Sequence, residues 1–247
     1  MTQPLIELTD ALAVDLIPVP RDADDVCPIC RSWRAPRFDR CNNCEQAIND
    51  LTAPCELVIP VTLYRKPSAM RDRLTNYKGG NEDEQQRYAP EIASILDRFF
   101  AESDARLQTR TGGWDVACIV PSESRVPPHP LDSALIRLPA AHVPAREILL
   151  ERHSGKVGHR ILSDDAFRTA KEVDGKSVLL LDDVYTTGAR AQSAASTLNI
   201  AGARVAAIVV LARRVNVEWD PGVRVLWDRQ AAIPFSFTDS PWWWGSD

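Results

Sequence analysis

The stretch Val178-Leu-Leu-Leu-Asp182-Asp183-Val-Tyr185-Thr186-Thr187-Gly188-Ala-Arg190 decides how this chain is read. Val178–Leu181 has the unbroken apolar character of a strand buried on both faces, and it begins after the turn residues Asp174-Gly-Lys-Ser. Its end carries two acids. A loop rich in hydroxyls then opens a helix over Ala191–Ala201, whose Ala194, Ala195 and Leu198 are small enough to lie close on a sheet. Gly202 supplies the helix stop and Val205–Leu211 the next apolar strand. The unit is βαβ, so the expectation is an α/β fold with a mainly parallel sheet flanked by helices.

In open α/β sheets ligands bind beyond the carboxyl ends of the strands. A loop entering a helix there aims unpaired backbone N–H groups and the positive end of the helix dipole at one spot. That spot suits a phosphate: Thr186 and Thr187 add hydroxyl donors, Gly188 permits close approach, and the backbone of Tyr185, Ala189 and Arg190 completes a nest of amides. Asp182 and Asp183 would repel a phosphate and call for donors, which the vicinal hydroxyls of a sugar supply. A phosphorylated ribose offers both groups a few ångströms apart. The plainer alternative is an acidic strand end followed by an N-capping threonine.

Working outward, Glu56–Tyr64 is rich in β-branched residues and reads as a strand, with Pro60 favouring an edge or bulge. A turn is expected at Lys78-Gly79-Gly80. Ile92, Leu96, Phe99 and Phe100 recur at helical spacing and predict an amphipathic helix from Pro90, at its first position, to about Arg106. Val116–Val120 is a second buried strand, followed by a proline-rich loop over Pro121–Pro130, a short helix around Leu131–Leu138 and a strand around Ile148–Leu150. Residues 1–20 read as a strand-like or irregular lead-in, Glu151–Asp174 as a polar stretch without assigned structure, and Val223–Trp227 as a strand-like piece. Trp242-Trp243-Trp244 is costly to leave in water and is expected to pack on the body or into another subunit of an oligomer.

Four of the six cysteines form two close pairs, Cys27-Pro-Ile-Cys30 and Cys41-Asn-Asn-Cys44. Paired thiolates at this spacing can close a tetrahedron around a structural Zn²⁺, which has no open ligand position for catalysis. The expected organisation is a zinc-binding module at 21–50 with its own metal-based stability, an α/β domain at 55–235 and a tryptophan-rich tail at 236–247. Cys55 and Cys118 lie in apolar stretches and read as buried, inert thiols. His129, His142, His153 and His159 are scattered without a motif and receive no role.

With 247 residues, 45% apolar and 26% charged, the chain can bury one substantial core. No apolar run approaches the ~20 residues that span a bilayer, and no signal segment opens the sequence, so no membrane and a cytoplasmic location are expected. The net charge of -5 offers nucleic acid no general attraction.

The segment Asp182–Arg190 resembles the phosphoribosyl-diphosphate (PRPP) signature of type I phosphoribosyltransferases, and the upstream cysteine pairs make the chain similar to ComF-like proteins. Tyr77-Lys78-Gly79, Arg160 and Phe167 stand between the two in the order that family shows, and the likeness spans about residues 27–212. It implies a type I phosphoribosyltransferase-like fold, ribose hydroxyls on Asp182 and Asp183, the 5-phosphate on Thr186–Arg190, and Mg²⁺ accompanying PRPP. Two departures are visible. Arg190 stands where the family's phosphate loop usually ends in threonine, a change that loses one hydroxyl but offers a guanidinium to pair with the phosphate. Pro121-Ser122-Glu-Ser-Arg125 stands near where an Arg-Gly-Phe-Asn-Gln-like element is usual, leaving Ser122 and Arg125 as diphosphate candidates or as an ordinary surface loop. Lys78 is either a further diphosphate contact or a solvated turn lysine. Three functions follow: a phosphoribosyltransferase with a nitrogen acceptor, a non-catalytic PRPP- or nucleotide-binding regulator, and an adaptor with a DNA-uptake or DNA-processing partner.

Overall fold

The computed structural model describes residues 3–122, 128–138 and 142–238. Four parallel strands form the centre: β1 (Val58–Tyr64), β2 (Val116–Ile119), β5 (Ser177–Tyr185) and β6 (Arg204–Arg214), in the order β1-β6-β5-β2. The helix α6 (Ala189–Ile200) joins β5 to β6, as expected for a βαβ unit. Pro60 sits in β1, which lies at the sheet edge, where its missing N–H costs least. A second, antiparallel pair, β3 (Leu150–Arg152) with β4 (Phe167–Thr169), gives structure to the polar stretch before Asp174.

Strand alternation divides the core between the two sheet faces. Leu179, Leu181, Val209 and Leu211 face one cluster with the long helix α4 (Glu82–Thr111) and the helices α1 (Gln3–Ala13), α3 (Ala69–Gly79) and α5 (Pro130–Arg137). Val178, Leu180, Ile208 and Val210 face the other, with α6. The expected fold class holds at this level: mixed α/β with a parallel central sheet flanked by helices. No helix is long and apolar enough to cross a membrane among the described residues.

Several elements differ from their expectation. Residues 3–13 are helical, because Leu5, Leu8, Thr9 and Leu12 recur at helical spacing with Thr9 and Leu12 buried, and Arg98 of α4 donates to Thr9 and Asp10. The helix α4 begins eight residues before Pro90, which lies inside it; Asn81 and Glu84 form a reciprocal capping box that starts it, and Gly112 ends it in the left-handed conformation. Lys78 and Gly79 finish α3 instead of forming a turn. Val223–Trp227 belongs to the helix α7 (Pro221–Ala231), capped by Asp220 with Pro221 in its first turn. Local start signals outweighed apolar pattern in α4 and α7.

The cysteine segment does not pack apart from the sheet. Cys27, Ile29, Cys30, Cys41 and Cys44 are buried in the same apolar cluster as Tyr185, Ala194 and Ile208. The helix α2 (Asn42–Asp50) starts immediately after Cys41. Trp242–Trp244 lies outside the described residues.

Candidate functional site

The carboxyl end of β5 opens into a cleft of about 410 Å³, and Asp182, Asp183, Thr186, Thr187, Gly188, Ala189 and Arg190 all line it. Alternation along β5 sends the two acids to opposite faces. Asp182 turns toward α6, where both its oxygens accept from Arg190 Nη2, at 2.9 and 3.0 Å. Asp183 turns toward α3, where Oδ2 accepts from Tyr77 Oη at 2.5 Å and Lys78 Nζ at 2.6 Å. Its Oδ1 is buried without a hydrogen-bond partner, with Arg190 Nη2 at 3.9 Å.

These surroundings push the neighbours' acidities apart. Burial raises Asp182 to about 6, opposed by the Arg190 charge and reinforced by Asp183. Burial acts on Asp183 in the same direction, but the Lys78 ammonium and the Tyr77 hydroxyl outweigh it and hold the carboxyl well below its ordinary value. Burial and the Asp183 charge in turn raise the Tyr77 phenol well above its usual range, so it remains a donor.

The loop is shaped by Gly188 and Tyr185. Gly188 has φ +84°, and a Cβ there would sit 2.1 Å from the Tyr185 ring. No other residue type fits without moving that ring. The Tyr185 side chain does not line the cleft: it is buried beneath the loop, its hydroxyl 3.2 Å from Gln192 Nε2, and Gln192 is fixed in turn to the backbone of Cys55. Its place among the expected ligand residues is therefore that of a support. Thr187 Oγ1 accepts from the Ala189 N–H at 3.4 Å, and Gln192 N–H closes the first helical turn on the Gly188 carbonyl.

The far side of the cleft is basic. Lys66, Arg71 and Arg214 line it with no acid among them in the lining, although Arg71 also reaches its neighbour Asp72 at 3.4 Å. Arg214 Nε is buried without a partner. Desolvation, with the charges of Arg214 and Arg71, lowers the Lys66 ammonium. None of these three was singled out from the sequence; Lys66 follows β1 and Arg214 ends β6, and that position was the available signal. Gly158 and His159 reach the cleft from the stretch before β4, while Arg160 and Phe167 do not line it. Ser122 follows β2, on the opposite side of β5 from β6, and is not among the lining residues; Arg125 lies outside the described residues.

The second candidate site is the cysteine cluster. The sulfurs of Cys27, Cys30, Cys41 and Cys44 all lie within 4.8 Å of one another and are buried. Cys30 Sγ and Cys41 Sγ are 3.6 Å apart, too far for a disulfide and close to the ~3.8 Å edge of a tetrahedron with Zn–S bonds of ~2.3 Å. The donor set thus fits a structural metal, and it is the one group of three or more potential ligands among the described residues that could hold one. Cys55 and Cys118 are buried elsewhere, and burial pushes each thiol up to about 11, the inert state expected for them.

Compared with models of known protein families and with curated proteins, the chain matches none.

Proposed function

We propose that the cleft at the end of β5 binds the ribose 5-phosphate portion of PRPP, and that the protein is a phosphoribosyltransferase acting on a nitrogen acceptor. One observation carries the reading: Asp183 is fully buried and retains an unpartnered carboxylate oxygen beside a glycine-pinned loop that enters a helix. A buried acceptor without a donor is costly, and a sugar hydroxyl is a donor of the right size. The charge of the cleft agrees. Five cations line it, Lys66, Arg71, Lys78, Arg190 and Arg214, against the acids Asp182 and Asp183, in a chain of net charge -5. Such a cleft suits a ligand with several negative charges.

In this reading the loop Thr186–Arg190 receives the 5-phosphate and the two carboxylates the ribose hydroxyls. Lys66, Arg71 and Arg214 supply charge for a further anionic group of the substrate pair. The reaction forms a bond from nitrogen to the anomeric carbon as the carbon–oxygen bond to diphosphate breaks, the leaving group taking the electron pair. Mg²⁺, arriving on the diphosphate oxygens, would neutralise that charge. The chain's own contribution is positioning and electrostatic fit.

The non-catalytic reading has its own support: Arg190 already occupies Asp182, and Lys78 with Tyr77 occupies half of Asp183. A ligand must exchange with these partners, which suits a binding switch as well as an enzyme. Calorimetric titration with PRPP and Mg²⁺, followed by an assay of pyrophosphate release across amine and nucleobase acceptors, separates the two. Saturable binding with release supports the transferase, binding without release the regulator, and no binding of PRPP or ribose 5-phosphate defeats both.

A further inference from the structure

Arg213 lies at the end of β6, paired in register with Tyr185 at the end of β5, and only 2% of it is exposed. Its Nη1 donates to the carbonyls of Tyr185, at 3.0 Å, and Thr186, at 2.5 Å, as well as to that of Arg214 at 2.7 Å. Its Nη2 is 3.8 Å from Cys30 Sγ, and its guanidinium lies 5.2 Å from the centre of the Tyr185 ring. Among the described residues no carboxylate pairs with it. A sealed guanidinium without a counter-charge is strongly unfavourable. The negative charge available to it is that of the cysteine sulfurs, which a bound metal holds as thiolates, leaving a four-thiolate Zn²⁺ centre net negative.

We propose that Arg213 is a positioning residue that couples the four-cysteine metal centre to the loop Tyr185–Arg190, so that the loop keeps its ligand-binding shape only while the metal is bound. One end of the guanidinium is held by the centre, and the other fixes the two carbonyls from which the loop departs. Tyr185 transmits the same restraint, because its ring fills the space beneath Gly188 that sets the loop's left-handed turn. Loss of the metal releases Arg213, and the loop amides at its far end lose their common orientation. What the loop binds rests on the reading above; the restraint itself does not.

The test is hydrogen exchange of the full-length, ligand-free protein, with metal content measured in parallel, before and after chelation. In the wild type, chelation should speed exchange of the loop amides Thr186–Ala191 by about tenfold or more while those of α4 change little. In Arg213→Met the loop should already exchange at the faster rate with the metal still bound, and chelation should add little. Arg213→Lys, which keeps the charge but lacks the fork that spans both partners, should behave in the same way and serves if the methionine variant fails to fold. Loop exchange unaffected by chelation would overturn the proposal, as would equal acceleration in α4, which would make the metal a general support of the core. A protein that shows the loop response yet binds no PRPP would keep this inference and lose the functional reading.

Discussion

The cysteine side of β5 and β6 and the open cleft above their ends use charged residues in opposite ways. On the cysteine side, Arg213 commits both terminal nitrogens to protein atoms, and Gln192 ties Tyr185 to Cys55. In the cleft, Arg214 lines open space, Asp183 Oδ1 lacks a partner, and Lys66 stands among other cations. The two arginines are adjacent in sequence, so the difference arises from strand geometry and not from residue type. Charged groups sealed among protein atoms act as scaffold; those that face the open cleft with capacity left over mark where a ligand belongs.

The largest effect should come from attacking the scaffold. Cys41→Ser should remove the metal and lower the hydrogen-exchange protection of β5, β6 and α6 by more than about 2 kcal/mol while α4, on the other face of the sheet, changes little, because the four cysteines share one buried cluster with the former. Hydrogen exchange of these elements, with zinc measured in parallel, checks this. Unchanged exchange of β5, β6 and α6 after metal loss would instead support a self-contained zinc module.

A smaller effect should separate the two acids. Asp182 is raised to about 6 in the folded chain, so its contribution to stability is full below about pH 4 and is lost as pH rises through about 6. Asp183 is lowered, so its contribution is present above about pH 4 and is lost only in stronger acid. Asp182→Asn, which cannot ionise, should therefore remove the stability loss between about pH 4 and 6. Urea unfolding at several pH values reads this directly; an unchanged pH profile in the variant would mean that Arg190 fully compensates the buried charge.

The sequence carried the βαβ unit clearly, because Val178–Leu181 and Val205–Leu211 are short unbroken apolar runs bounded by the turn residues Asp174-Gly-Lys-Ser and by Gly202, too short for a buried helix. The four-cysteine cluster was equally legible, since cysteine spacing is itself the chelating geometry. Pro60 left an edge or a bulge open for β1, and the strand order puts it at the edge. What escaped was set by the third dimension. The cations Lys66, Arg71 and Arg214 come from the segment after β1, from α3 and from the end of β6, and only the strand order brings them to one cleft. Arg213 and Arg214 are indistinguishable in sequence. The helix α7 was hidden because Val223, Leu226 and Trp227 suit a strand or a helix over so short a run, and the start signal Asp220-Pro221 decided between them.

The most direct test of the ligand site is titration of wild-type protein and Asp183→Asn with ribose 5-phosphate and PRPP in the presence of Mg²⁺. A charge-assisted hydrogen bond is worth roughly 1.5–3 kcal/mol, so the substitution should weaken both ligands by about ten- to a hundredfold while inorganic phosphate, which makes no ribose contact, changes little. Equal affinity of variant and wild type for PRPP and ribose 5-phosphate would contradict the account, because it would mean that the buried, half-partnered carboxylate of Asp183 receives no sugar hydroxyl.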